Sequence, residues 1–129
     1  MKIEYIDLHT IGWYGLLLPI KYEIQEWNKK NKNNKINIYT KEKLGYLSIS
    51  LHADNLPEYL FRMAIEAQRE SGNICQLCGK KGKHIKIKHW YWTLCDKHSR
   101  AREMAEKEDI LDIEYETRII YSELILNEN

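Results

Sequence analysis

Apolar residues recur at two different spacings along this chain, and the spacing separates helices from strands. In the first strongly periodic segment they recur every three or four residues: Leu16, Leu17, Ile20, Ile24 and Trp27. This pattern predicts a helix over about 16–30. Pro19 is tolerated only in the first turn of a helix, so the helix is expected to begin near it. The polar run NKKNKNNK at 28–35 then predicts a solvated loop.

The middle of the chain predicts a hairpin followed by a second helix. INIYT and GYLSISL alternate between apolar and polar residues on either side of KEKL, which predicts a β-hairpin over 36–51. In DNLPEYLFRMAIEAQRESG, Asp54 or Asn55 can cap a helix and Gly72 can close it. The apolar stripe of that helix comprises Leu56, Leu60, Ala64 and Ala67.

The two ends of the chain alternate with period two. MKIEYIDL predicts a short strand, and 113–121 predicts a strand for which a helix is the alternative. A further helix is expected to begin at Cys95 or Asp96 and to run through SRAREMAEKED. Without internal repeats or low-complexity linkers, the sequence predicts a single α+β domain over 1–129, with a small antiparallel sheet and two or three helices.

The composition of the chain indicates the cellular compartment in which it is expected to act. The 129 residues are 43% hydrophobic and 30% charged, and no apolar run approaches the ~18 residues of a membrane span. Glu4 and Asp7 precede the first apolar patch and no small-residue cleavage site follows it, so we expect no signal peptide. The three cysteines cannot all pair within one chain, which favours reduced thiolates and a cytoplasmic location.

Charge is divided unevenly along the sequence. Residues 73–102 carry eight Lys or Arg against Asp96 alone, whereas 103–129 carry nine Asp or Glu against two basic residues. The basic segment can form a face for an anionic partner. Alternatively, the acidic segment folds back and neutralises it.

All three cysteines lie in one metal-binding pattern, C-x2-C-x16-C-x2-H. It is formed by Cys75, Cys78, Cys95 and His98. Two close pairs joined by a hairpin-length loop suit the tetrahedral coordination of Zn²⁺. CQLCG reads as a zinc knuckle, and CDKH falls in the first turn of the last predicted helix. Knuckle, hairpin and helix predict a treble-clef finger embedded at 73–108.

Other uses of the four ligands fit less well. A thioredoxin-like CxxC opens a helix after a strand, whereas a loop rich in lysine and glycine follows Cys78. Thiolate sites can hold iron, but the histidine ligand and the lack of further cysteines favour zinc. Four protein ligands leave no open coordination position, so we predict one structural Zn²⁺.

The segment between the ligand pairs, HIKIKHWYWTL, is the candidate binding surface. Alternation puts Lys86, Lys88, Trp90, Trp92 and Leu94 on one side. Lysines beside tryptophans can stack bases or a nucleotide ring while they hold phosphate. The predicted binding residues are Lys86, Lys88, Trp90, Trp92 and Arg100. The alternative is that the tryptophans cover the zinc module and dock it onto the main core.

Two zinc families resemble this segment in part. It is similar to GATA-type fingers in spacing and in a tryptophan followed by LC, but the fourth ligand is His98 and acidic residues follow Arg102. An acidic helix suits a DNA groove poorly. HNH-type nucleases also use treble clefs; His84 and His89 lie in the loop, but an Asp-His-Ile-x-Pro-like segment does not. With no other catalytic constellation, we predict that the protein is not an enzyme.

Three stretches together resemble a group of small phage- and prophage-encoded proteins. These stretches are GWYGLLLPI, KEKLGYLSIS and ICQLCGKKGK…WYWTLCDKH. The group carries GW before a proline-containing helix, a Lys-Glu-Lys-Phe-Gly-x-Leu-Arg hairpin and a CxxCG…W…LCxxH finger. Leu44 and Ser48 stand where that pattern has phenylalanine and arginine, so no role of the arginine is carried over.

This resemblance implies an origin in a mobile element. Proteins of that origin commonly act by stoichiometric binding, either by blocking a host defence protein or by sequestering an immune nucleotide signal. The expectation is therefore a non-enzymatic, zinc-stabilised protein that binds a host protein in the bacterial cytoplasm. Binding of a nucleic acid or nucleotide by the basic aromatic hairpin is the alternative.

Overall fold

The structure is a computed structural model that describes residues 8–108, and its α+β architecture confirms the predicted fold class. A 3-10 turn, Ile11–Trp13, precedes α1 (Tyr14–Lys30), β1 (Asn37–Lys43), β2 (Tyr46–His52), α2 (Glu58–Ser71), β3 (Lys83–Ile87), β4 (Trp90–Leu94) and α3 (Asp96–Glu108). β1–β2 and β3–β4 form two antiparallel two-stranded sheets. The strands predicted for the N-terminal residues and for 113–121 lie outside the described residues. In the described range, no helix has the length and apolarity needed to cross a membrane.

Helix α1 begins five residues before Pro19, so the expectation that this proline marks the first turn is wrong. The reason lies in the packing of the residues that precede it. Trp13 and Leu17 are buried against Leu47 of β2, and the 3-10 turn leads directly into the helix. Burial of these apolar side chains outweighs the one backbone hydrogen bond that an interior proline removes.

Helix α2 runs along the outer edge of β2 and satisfies its backbone. The Leu47 amide donates to the Ser71 hydroxyl at 3.0 Å, and the Ile49 amide donates to Gln68 Oε1 at 2.6 Å. An open strand edge would otherwise leave such groups without a protein partner. Pro57 occupies the N-cap of α2 without a side-chain cap, so the predicted capping by Asp54 or Asn55 is wrong.

The turn of the first hairpin is docked on the second hairpin. Leu44 and Gly45 connect the strands with φ of 52° and 83°, as a type I′ turn requires. The Thr93 hydroxyl donates to the Gly45 carbonyl at 2.6 Å, and His84 Nε2 donates to the Leu44 carbonyl at 2.8 Å. A Cβ on Gly45 would lie 2.8 Å from the Trp92 nitrogen. The two hairpins therefore meet through backbone contacts that only glycine permits at this position.

We expect Leu44→Asn to stabilise the protein by about 1 kcal/mol, because leucine is strained in the left-handed region whereas asparagine tolerates it. The Leu44 side chain is exposed, so the change removes little packing. Urea unfolding with zinc present measures the effect. Leu18→Asn is the control, since Leu18 is also exposed but lies within α1, where asparagine gives no such benefit. A neutral or destabilising Leu44→Asn would contradict the strain argument.

Candidate metal centre

The four predicted ligands converge at one point of the structure. The donor atoms of Cys75, Cys78, Cys95 and His98 all lie within 4.8 Å of one another. His98 Nδ1 is 3.5 Å from Cys75 Sγ and 3.2 Å from Cys95 Sγ, and the Sγ atoms of Cys78 and Cys95 are 3.8 Å apart. Three thiols and an imidazole at these separations could hold one metal ion.

Backbone geometry brings the two ligand pairs together. In the knuckle, the Gly79 amide donates to the Cys75 carbonyl at 2.9 Å, and Gly79 takes a φ of 80° that favours glycine. Cys95 lies between β4 and α3, and His98 lies in the first turn of α3. Knuckle, hairpin and helix thus follow in the order predicted for a treble clef.

Two of the candidate ligand thiols share one proton. A hydrogen bond from Cys78 lowers the pKa of Cys75 to about 3, against the opposing effect of burial. The same interaction raises the pKa of Cys78, because this thiol keeps the shared proton. A metal ion that replaces the protons would allow all three sulfurs to ionise together. The donor set is one that zinc prefers.

The N-terminal segment covers the knuckle directly. The Gly12 amide donates to the Gln76 carbonyl at 2.8 Å, and a Cβ on Gly12 would lie only 2.2 Å from the Cys75 carbonyl oxygen. The buried Gln76 side chain donates to the His9 carbonyl at 3.0 Å and accepts from the Thr93 amide at 3.0 Å. The knuckle that carries Cys75 and Cys78 is therefore fixed between the chain before α1 and strand β4.

Trp13 links the same knuckle to helix α2. Its ring is fully buried, and its indole nitrogen donates to the carbonyls of Ser71 at 3.1 Å and Ile74 at 2.8 Å. GW, KEKLG and the cysteine-histidine finger, separate in sequence, thus contact one another in the fold. In the described structure, these motifs assemble the junction around the candidate metal site.

The register of β3 and β4 corrects the predicted faces of the second hairpin. Trp90 pairs with Ile87, Trp92 with Ile85, and Lys86 with Tyr91. Directly opposed residues share a face of the sheet, so the tryptophans and Lys86 lie on opposite faces. The predicted grouping is wrong because a two-residue turn places residues of opposite parity on the same face.

The two tryptophans have different environments. Trp92 packs into the apolar cluster around Cys75 and Leu94, and the guanidinium of Arg102 lies 4.8 Å from its ring centroid. Trp90 is 65% exposed. The alternative in which tryptophan covers the zinc module therefore describes Trp92, whereas Trp90 faces water.

The basic members of the predicted binding set are dispersed. The Lys86 ammonium lies 5.4 Å from the Tyr91 ring centroid, while Lys88 contacts Glu106 Oε2 at 3.4 Å and so is partly neutralised. Arg100 is exposed on α3. Sequence reasoning missed Arg102, which is buried and bonded to Glu106 at 2.7 Å. Its spacing of four residues from an acid was the available signal.

A groove that no single sequence segment reveals lies where the two hairpins and α2 meet. It encloses about 760 Å³, and its lining includes Lys43, Leu44, Tyr46, Ile65, Arg69 and Tyr91. His84 stacks between Tyr46 and Tyr91, with ring centroids 4.0 Å and 5.4 Å away. Sequence patterns are local, whereas this groove takes its walls from three segments far apart in the chain.

The geometry brings together four side chains that could hold one metal ion, beside an exposed aromatic and basic surface. Comparisons of the chain with protein-family models, with curated proteins and with solved structures find no match.

Proposed function

We propose that this chain is a non-enzymatic, zinc-stabilised binding protein of phage or other mobile-element origin. It acts in the bacterial cytoplasm by binding a host defence protein in a fixed ratio. The observation that carries this proposal is the complete Cys3His donor set, which is packed into an apolar cluster with Ile11 and with residues of the second hairpin. A metal with four protein ligands stabilises a surface and leaves no position for a substrate or a reactive water.

The environment of His84 supports a binding role over a nuclease role. Its Nε2 donates to the Leu44 carbonyl, and its ring is stacked between Tyr46 and Tyr91. A histidine held in this way fixes the hairpin junction, and its ring nitrogen is engaged by backbone. Packing thus explains one of the two histidines in the loop between the ligand pairs.

Stoichiometry tests the proposed function. Phage plating on bacteria that carry different defence systems identifies a system whose protection this protein removes. The purified protein is then titrated against the purified defence component, and the activity of that component is measured. We expect inhibition to saturate at a fixed molar ratio with formation of a complex visible by light scattering. Loss of defence activity at far substoichiometric amounts, with continuing turnover, would instead indicate an enzyme.

Nucleic-acid binding is a second candidate because Trp90 is exposed next to a basic segment. It is the weaker candidate because Arg102 covers the ring of Trp92 and Glu106 partly neutralises Lys88. If this candidate holds, Lys86→Glu is expected to weaken oligonucleotide binding about tenfold at low salt and to reduce its salt dependence. Fluorescence anisotropy measures both effects.

The matched control for this prediction is Lys29→Glu on α1, which reverses an exposed charge away from the second hairpin. Equal weakening by both variants would show a general charge effect and no dedicated surface. Absence of oligonucleotide binding to the zinc-loaded protein at low salt would dismiss this candidate.

A further inference from the structure

We propose that the groove between the two hairpins and α2 binds an acidic segment of a partner protein, anchored by a large apolar side chain. This inference rests on the proposed function, because it names the surface and the chemistry by which the partner is recognised. It replaces the predicted hairpin face, whose lysine and tryptophan side chains the register separates.

The groove concentrates apolar surface that faces water. Leu44, Tyr46, Ile65 and Tyr91 line it, and each is more than a third exposed. They come from the turn of the first hairpin, from β2, from α2 and from β4, so their clustering is a property of the fold. When a partner covers apolar side chains gathered at one concave site, their removal from water lowers the free energy of the complex.

The charged residues of the lining are cationic. Lys43 and Arg69 line the groove, and no carboxylate is among its lining residues in the described structure. Arg69 contacts Glu66 at 3.3 Å, but both side chains of this pair are largely exposed. Exposed ion pairs contribute little, so Arg69 can exchange Glu66 for a carboxylate of the partner at small cost. Charge complementarity therefore selects an acidic segment.

The aromatic wall favours a side chain over a nucleotide base. His84 stacks on Tyr46 and on Tyr91, and the Lys86 ammonium lies over the Tyr91 ring. His84 therefore has a tyrosine ring on each side, and Tyr91 has both His84 and the Lys86 ammonium as neighbours. Base recognition by stacking needs an open ring face, whereas a branched or aromatic side chain can pack against ring edges.

The groove is held open before binding. The Thr93 and His84 side chains bond the carbonyls of Gly45 and Leu44, and the Ser71 hydroxyl accepts the Leu47 amide. Since β3 and β4 supply His84 and Tyr91, one wall depends on the metal-binding module. A preorganised groove loses little conformational entropy when a peptide binds. Because the metal holds one wall in place, its removal should abolish peptide binding.

Peptide selection tests this inference with the full-length, zinc-loaded protein. The probe is a displayed library of random dodecapeptides. We expect enrichment of peptides in which Asp or Glu flank Leu, Ile, Phe or Trp. The most enriched peptide, labelled with fluorescein, is then titrated by anisotropy. Ile65→Glu and Lys43→Glu are each expected to weaken its binding at least tenfold, whereas Tyr22→Glu, on the exposed face of α1, leaves it unchanged.

Several results would overturn the inference. These are enrichment of basic peptides, no enrichment at all, or a labelled peptide whose affinity survives both Ile65→Glu and Lys43→Glu. Displacement of the peptide by oligonucleotide would assign the groove to nucleic acid. A dimer that Ile65→Glu dissociates would assign it to a second copy, and a peptide of residues 110–126 that outcompetes the selected one would assign it to this chain's own C-terminal segment.

Failure of the groove and failure of the proposed function give different results. If Ile65→Glu still removes host defence in a fixed ratio, the protein is an inhibitor that uses another surface, and only the groove assignment is wrong. If the groove binds acidic peptides but the protein alters no defence system, the proposed function is wrong and the groove assignment stands.

Discussion

Cys95→Ser is expected to leave the chain unfolded and without bound metal at 25 °C. A structural zinc contributes about 10–16 kcal/mol at neutral pH, which equals or exceeds the whole stability of an ordinary domain. The apolar cluster around the ligands is small: Cys75, Leu77, Ile87 and Leu94 are its buried members. Without the metal, this cluster alone cannot hold the second hairpin against the loss of chain entropy.

Native mass spectrometry and circular dichroism measure this prediction together. The wild-type chain is expected to carry one zinc ion, and the Cys95→Ser variant none, with loss of its near-ultraviolet signal. Cobalt substitution of the wild type should give the absorption bands of a tetrahedral thiolate site, which identifies the ligand type. Removal of zinc by a strong chelator should reproduce the variant's spectrum.

Met104→Ser is the control for this change. It alters an exposed residue of the same helix α3 and should retain both metal and fold. A wild-type protein that is fully folded without metal would contradict the structural role of the site. So would a Cys95→Ser variant with wild-type stability.

The features that the sequence predicted correctly are those whose signal is local. Hairpin β1–β2 and helix α2 follow from alternation and from a stripe of period 3.6 within their own segments. The convergence of the four candidate ligands follows from their spacing, because each close pair lies on one turn and a hairpin-length loop lets the two pairs meet. Each of these signals lies within one continuous stretch of the chain.

The features that the sequence did not predict depend on contacts between distant segments. Pro19 lies inside α1 because Trp13 and Leu17 find a partner in Leu47, which is thirty residues further along. The KEKLG turn has the composition of a solvated turn, yet Thr93 and His84 bind its carbonyls. In both cases tertiary packing overrides what the local residues favour.

The exposure of Trp90 and Trp92 also depends on a contact with a distant segment, and the local sequence does not predict it. They lie on one face of one strand, so no periodicity distinguishes them. Arg102, supplied by α3, covers Trp92 but not the ring nearer to the turn. Exposure is therefore decided by a helix whose position the strand's own sequence does not encode.

Trp13→Ala is expected to destabilise the zinc-loaded protein by about 4 kcal/mol, because it creates a large cavity in the core. The indole also donates to the carbonyls of Ser71 and Ile74, so its loss leaves two backbone groups at this junction without that donor. Zinc affinity should fall as well, since α2 and the metal-binding knuckle meet at Trp13 and metal binding is coupled to folding. Urea unfolding and competition with a zinc chelator measure the two effects.

Trp90→Ala is the matched control, because the same substitution at a 65% exposed ring should change the free energy of unfolding by less than about 0.5 kcal/mol. The loss of unfolding free energy in Trp13→Phe should lie between those of Trp13→Ala and Trp90→Ala, since phenylalanine keeps most of the buried ring but donates no hydrogen bond. If Trp13→Ala and Trp90→Ala lower the free energy of unfolding equally, the assignment of Trp13 as buried and Trp90 as exposed is contradicted. A stable Trp13→Ala variant with unchanged zinc affinity would show that the knuckle folds independently of α2. In that case the knuckle and α2 would not support each other, and only the contacts between the two hairpins would hold the groove in shape.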